Sequence, residues 1–251
     1  MKAFLSDNSK DKRNRKIEEL LKRPAYAAWW TNKLCDFTGC NPASINSLLE
    51  VATEEGYRKA SQWYDWIYEK ISENESYADL AEGIILADLG HGVGQGMPYF
   101  WTRQSLKEPK DTAMSVAHSF LGIQLQCAEC HKHPFDQWTQ NDFVDFAGFF
   151  DPSVFSDGRR RKNARSITAI YTELSLLRSH TVKLEGKDPR RPIMDWLRQK
   201  DNPWFARSFV NRVWAGYFNV GIVEPTDEFT PSNPPSLSLI HISEPTRLGM
   251  I

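Results

Sequence analysis

Apolar residues recur along most of this chain at three- and four-residue intervals, the period of helices that bury one face. Ser9 is positioned to cap a first helix running to Lys22, with Ile17, Leu20 and Leu21 as its stripe. Pro24 interrupts it, and an aromatic-rich helix follows through Tyr26, Trp29, Trp30 and Leu34 until Gly39 and Asn41-Pro42 end it. A long helix is predicted from Ser47 to Ile71, with Trp63, Trp66, Ile67 and Ile71 on one face. Tyr77 to Leu89 forms the next and runs into a glycine-rich loop. Thr112–Gln126 reads as a helix that delivers the chain into a cysteine cluster, and Asn141–Phe150 presents Phe143, Phe146, Ala147 and Phe150 on one side. A charged loop spans Asp151 to Asn163. Helical spacing returns over Ser166–Leu177 and Pro192–Arg198. Asn202 with Pro203 then supplies a cap and first position for a helix whose stripe is Phe205, Phe209, Val213, Trp214 and Tyr217. Strand signals are confined to Thr181–Leu184 and Ile222–Glu224, and no internal repeat is visible. The fold class expected is mainly α: an irregular multi-helix domain with long loops and little β.

Composition narrows this picture only slightly. At 251 residues, with 41% hydrophobic and 25% charged positions, the chain can bury the core of one large or two smaller domains. A formal net charge of −1 gives no reason to expect nucleic acid or an anionic membrane as partner. Nine tryptophans and fourteen phenylalanines favour a core of large rings over a buried planar ligand. The most apolar candidate for a membrane span, Ala81–Leu89, is short and broken by Glu82 and Asp88. Met1 to Leu5 imitates the start of a signal peptide, but Asp7, Lys10, Asp11, Lys12 and Arg13 stand where its apolar segment would be, so no export signal is expected. From Leu237 onward the sequence back-translates codon by codon to an adapter used in preparing sequencing libraries. Residues 237–251 are therefore expected to be an artefactual tail that packs poorly, with the natural sequence broken off after Pro235 or Ser236.

The four cysteines fall in two pairs, Cys35 with Cys40 and Cys127 with Cys130. Such a number is too small for a disulfide scaffold in a chain of this size. The second pair sits in Cys127-Ala-Glu-Cys130-His131, a Cys-x-x-Cys-His pattern whose chance occurrence here is on the order of 10⁻³. In c-type haem attachment each cysteine sulfur adds to a vinyl group on the porphyrin edge, and the adjacent histidine ligates the iron. Two intervening residues match the separation of the vinyls, and the histidine must follow directly to bring its ring under the metal. Cys127, Cys130 and His131 meet that requirement, with Phe120, Phe135 and Trp138 as candidate walls. Met97, Met114, His118, His91 and Met194 are candidates for the sixth ligand, an open sixth position being equally allowed. Met114 and His118, four apart, share a face of the predicted helix, where core packing is the commoner role.

Other readings of the same residues stand beside this one. The motif can be half of a tetrahedral zinc site completed by Cys35 and Cys40 or by His131 and His133. It can be a redox disulfide, although no βαβ pattern surrounds it. Haem requires an apolar slot beside the thiols with His131 pointing into it, whereas zinc requires four donors converging on one point. Cys35 and Cys40, at a helix end, are either a disulfide, if the protein is exported, or two buried thiols. Gly90-His-Gly-Val-Gly-Gln-Gly96 lacks the lysine and hydroxyl ending of a phosphate cradle and reads as a loop. Arg159-Arg-Arg-Lys162 reads as a solvated loop. No catalytic constellation is identified, so whether the chain is an enzyme is left open, a non-enzymatic role being favoured for the chain on its own.

The stretch from Phe120 through Cys127-Ala-Glu-Cys130-His131-Lys-His-Pro-Phe-Asp-Gln-Trp138 to Gln140, continuing to Phe149-Phe150, closely resembles the signature of the planctomycete-type cytochrome c-like domain of unknown function. Asp188-Pro-Arg-Arg-Pro192, Trp196-Leu197, Asp201-Asn-Pro-Trp-Phe-Ala-Arg207, Asn211-Arg-Val-Trp214, Gly221-Ile-Val-Glu-Pro225 and Ser232-Asn-Pro-Pro235 resemble the start of its usual companion domain. The resemblance implies a cytochrome c-like domain over 1–151 that is truncated at its N-terminus, a linker over 152–187 and a truncated companion domain over 188–236. It implies haem c as cofactor, held by Cys127, Cys130 and His131, in a longer protein working outside the cytoplasm with an unidentified redox partner. The family carries no established catalytic residues, and an enzyme activity would reside in flanking domains.

Overall fold

Several helices begin where the chain supplies a cap or a proline, and some end at a residue in the left-handed region. The computed structural model describes residues 2–45, 51–87, 96–103, 105–151, 173–184 and 188–236. After α1 (Lys2–Ser6) and α2 (Lys12–Leu21), α3 (Pro24–Thr38) starts with Pro24 in its first turn and ends at Gly39, whose φ of +78° only glycine adopts without cost. α4 (Glu54–Ser72) is capped by Thr53, whose Oγ1 accepts from Gly56 N at 3.0 Å, with Glu54 and Glu55 against the positive end of the helix dipole. α5 (Tyr77–Ile85) is capped by Ser76. α6 (Pro109–Val116) has a reciprocal cap between Glu108 and Asp111 and widens into a π turn over Ala117–Leu121. α7 (Gln140–Gly148) has the same kind of cap from Thr139 and Asp142.

Two short antiparallel strands, β1 (Glu173–Ser175) and β2 (Thr181–Lys183), pair Leu174 with Val182. The helices α8 (Arg191–Leu197) and α9 (Phe205–Phe218) complete the order. Among the described residues the fold is thus mainly α, with a single two-stranded ribbon.

α3 and α4 pack along one another, and their buried Trp30, Leu34, Trp63, Trp66 and Ile67 open a core that continues through Phe100, Phe120, Phe146 and Phe149. Ile193, Met194, Trp196 and Phe205 from beyond residue 187 bury their side chains in that same core. Tyr77 stacks on Phe209 at 3.8 Å and on Phe205 at 5.1 Å, while Arg198 forms ion pairs with Asp79 and Glu82, each at 2.5 Å. No described helix is long and apolar enough to cross a membrane.

Several sequence expectations are corrected. The helix expected from Ser9 is α2 and starts at Lys12; the Ser9 carbonyl accepts from Lys12 N at 3.4 Å and its hydroxyl from the Arg15 guanidinium at 2.6 Å, so it does not cap the helix through its side chain. No residue of α2 is buried, so Ile17, Leu20 and Leu21 form an uncovered stripe. Val51 to Thr53 precede α4 instead of belonging to it, and α5 stops at Ile85. The helix expected over Thr112–Gln126 ends at Leu121, because Gly122 turns left-handed (φ +66°). A side chain at Gly122 would strike Ser208 Oγ at 2.8 Å, and its carbonyl accepts from Phe229 N at 2.9 Å, so packing by the C-terminal segment requires glycine there. Within Ser166–Leu177, the described part includes β1 instead of helix, because it pairs across a turn with β2. Ile222–Glu224 is a loop: Ile222 and Val223 donate to Asn211 Oδ1 rather than to a neighbouring strand. Tyr217, expected in the buried stripe of α9, is 57% exposed. His91, the loop over 152–163 and the tail 237–251 lie outside the described residues.

Candidate functional site

Four residues after Gly122, a single 3-10 turn (Gln126–Glu129) begins the loop that carries the cysteine motif. Ala128 is fully buried and pins the turn to the core, while Cys127, Cys130 and His131 face outward. Downstream, His133 and Asp136 are buried and Trp138 is completely so, with its ring 5.4 Å from that of Trp204. His133 N donates to Trp138 O at 2.8 Å, which closes the loop on itself. His133 Nδ1 accepts from Phe135 N at 3.3 Å. The exposed and buried residues thus divide the loop into a fixed inner face and a presented outer face.

Neighbouring elements hold this loop from several sides. Lys110 of α6 pairs with Glu129, inside the motif, at 2.7 Å. Gln140 Nε2 of α7 donates to Glu129 O at 3.1 Å. Arg178, in the turn between β1 and β2, donates to Gln137 O at 3.1 Å, and Ser232 donates to Phe135 O at 3.5 Å. Hydrogen bonds that the Lys110 ammonium donates to Glu129 and Glu108 hold it above its usual range. Burial raises the Asp136 carboxyl, opposed by the Gln137 N–H. The Trp138 indole lies near enough to favour that carboxylate, but neither Asp136 Oδ2 nor Trp138 Nε1 completes a hydrogen bond, and both are buried.

At His131 the structure specifies a tautomer. Its Nδ1 lies 2.7 Å from the carbonyl oxygen of Lys132. A carbonyl can only accept, so the ring donates from Nδ1–H and its Nε2 carries the free lone pair. Iron- and zinc-bound histidines are oriented in this way, the second ring nitrogen donating to a carbonyl or carboxylate. Cys127 and Cys130 are both free and exposed. Two accessible thiols and an imidazole in one loop are the donor types that covalent haem attachment uses.

The remaining sequence candidates are dispersed. Met97 is wholly buried, with its N–H donating to Gly83 O at 2.8 Å, and Met194 is a buried residue of α8. Met114 is half-buried on α6. His118, on the π turn, directs Nδ1 at Asp227 Oδ2 across 3.0 Å. Phe120 lies in the core against Phe100, whereas Phe135 is 71% exposed beside the motif. The apolar cavity of about 50 Å³ among Trp30, Leu34, Tyr77, Leu80 and Phe209 takes no lining from the motif. Among the described residues no group of three or more His, Cys, Asp or Glu side chains converges as a metal site.

Sequence reasoning missed His118–Asp227 and Lys110–Glu129, because nothing in local spacing marks a pair formed between distant segments. The Lys132 carbonyl was equally invisible, since any residue supplies one.

Comparison with known proteins gives two matches. PSCyt2, described as a protein of unknown function (DUF1549), matches residues 1–154, and PSD1, described as a protein of unknown function (DUF1553), matches residues 189–240. The second match runs past Leu237. No curated protein and no solved structure matches.

Proposed function

The chain belongs to the PSCyt2 family of proteins of unknown function, and from that premise we propose that it is a c-type haem-binding, electron-transfer module of a larger exported protein. The observation that carries the reading is the His131 Nδ1–H bond to the Lys132 carbonyl, which leaves Nε2 of the neutral ring free to ligate, in the same loop as two exposed free thiols. Cys127 and Cys130 would hold the haem through thioethers, and His131 would ligate its iron. When bound, haem supplies reversible one-electron chemistry. The protein's own part is mechanical and electrostatic. Ala128 and Trp138 anchor the loop, Lys132 sets the imidazole tautomer, and the Lys110–Glu129 pair holds the turn against α6. Exposed Phe135 offers apolar ground beside the site for the ring or for a redox partner. Cysteine–haem linkage is made outside the cytoplasm, which is where this module would work, joined to its flanking domains.

The test is a visible spectrum, oxidised and reduced, of protein exported to the periplasm together with a haem-attachment system. A c-type α-band on reduction is expected, with haem stain that survives denaturation and is lost progressively in Cys127→Ala and Cys130→Ala. Folded, colourless protein carrying stoichiometric zinc would replace this reading with that of a structural module. Folded protein with neither group would remove the redox role altogether.

A further inference from the structure

The first cysteine pair lies at the C-terminal turn of α3, away from the haem-attachment motif. There Cys40 N donates to Cys35 O at 2.9 Å and Gly39 N to Asp36 O at 3.4 Å, with Gly39 left-handed between them. This pair of nested bonds is a common way to close a helix, and it brings the side chains of its first and last residues together. Those residues are usually apolar. Here they are both cysteines, and their thiols interact. Cys35 is buried; Cys40 is half-buried, and its Sγ donates to Ala60 O at 3.5 Å. The Arg103 guanidinium lies over Gly39, beside this turn. Burial lowers Arg103 to about 10, which leaves it cationic at neutral pH.

We propose that Cys35 and Cys40 form an intramolecular disulfide across the closing turn of α3, an oxidation site separate from Cys127 and Cys130. The co-reactant is a disulfide, either low-molecular-weight or on an exchange protein. The Cys40 thiolate attacks one of its sulfurs, forming a mixed disulfide and releasing the other sulfur as a thiol. Cys35, deprotonated in turn, attacks the Cys40 sulfur and releases the second thiol. The protein loses two electrons and two protons, and the incoming disulfide gains them. In an oxidising compartment this pairing keeps Cys35 and Cys40 from capturing the exposed motif thiols. The pairing holds whether or not Cys127 and Cys130 carry haem.

Both cysteines lie on one tryptic peptide, Leu34–Arg58, and the motif cysteines lie on another. The chain carrying Cys127→Ala and Cys130→Ala is incubated with oxidised glutathione, acid-quenched, alkylated in denaturant, digested without reductant and weighed by mass spectrometry. The expected peptide is lighter by two hydrogens, unalkylated until reduced, and formed at least tenfold faster in native protein than in urea. Two alkylated cysteines, a stable glutathione adduct on Cys40, a cross-link between chains, or equal rates in native and unfolded protein would each overturn the proposal.

Discussion

Asp227 joins the last described segment to the π turn through one hydrogen bond, and its titration reports on that junction. The bond from His118 Nδ1–H, followed by the charge of His118, holds the Asp227 carboxyl below the usual aspartate range. A carboxylate whose pKa is lowered on folding adds stability above its unfolded pKa and loses it as the pH falls through the lowered value. Asp227→Asn should therefore cost about 1 kcal/mol at neutral pH. The gap from the parent protein should close as the pH falls through the carboxylate range, as urea titrations at neutral and acidic pH can measure. At this scale the motif was legible because Cys127, Cys130 and His131 are neighbours in sequence. The bond that orients His131 and the orphaned pair Asp136 and Trp138 depend on how the loop folds over the core.

Among the elements, helices were legible wherever local chemistry both starts and stops them. Pro24 and Gly39 bound α3, and Thr139 with Asp142 begins α7. Asn202 was anticipated as a cap, and its Oδ1 accepts from Trp204 N at 3.0 Å and Phe205 N at 2.9 Å, although Pro203 lies before the helix instead of in its first turn. Where distant contacts decide, periodicity misled. The stripe of α2 has the spacing of a buried face but no described segment buries it, and the expected helix after Thr112 yields to Gly122 under Ser208 and Phe229. Asn211 shows what such a distant contact is worth. Its amide accepts from Ile222 and Val223 and donates to Val223 O at 2.8 Å and Thr226 O at 3.4 Å. Asn211→Ala strands those buried backbone groups. A loss of about 3 kcal/mol is expected in denaturation, with faster amide exchange at Ile222 and Val223.

For the whole molecule, the segments matched by the two families share one core. Trp196, Met194 and Phe205 are buried with Trp63, Phe100 and Phe120, and the Tyr77–Phe209 stack joins the segments directly. Thermal unfolding followed by near- and far-ultraviolet circular dichroism should therefore give coincident, single transitions. Two separated transitions would mean that the segments are independently stable. Phe209→Ala should lower that single midpoint, consistent with a loss of about 3 kcal/mol. By itself the sequence determined the helical class, the positions of most helices and the cysteine–histidine cluster, because each depends on residues within a few positions of one another. Only the tertiary structure decided which apolar stripes are covered, where the helix before the motif ends and how the motif loop is held against the core. Those outcomes depend on which distant segment packs against which, and on the hydrogen bonds left to be satisfied once it has.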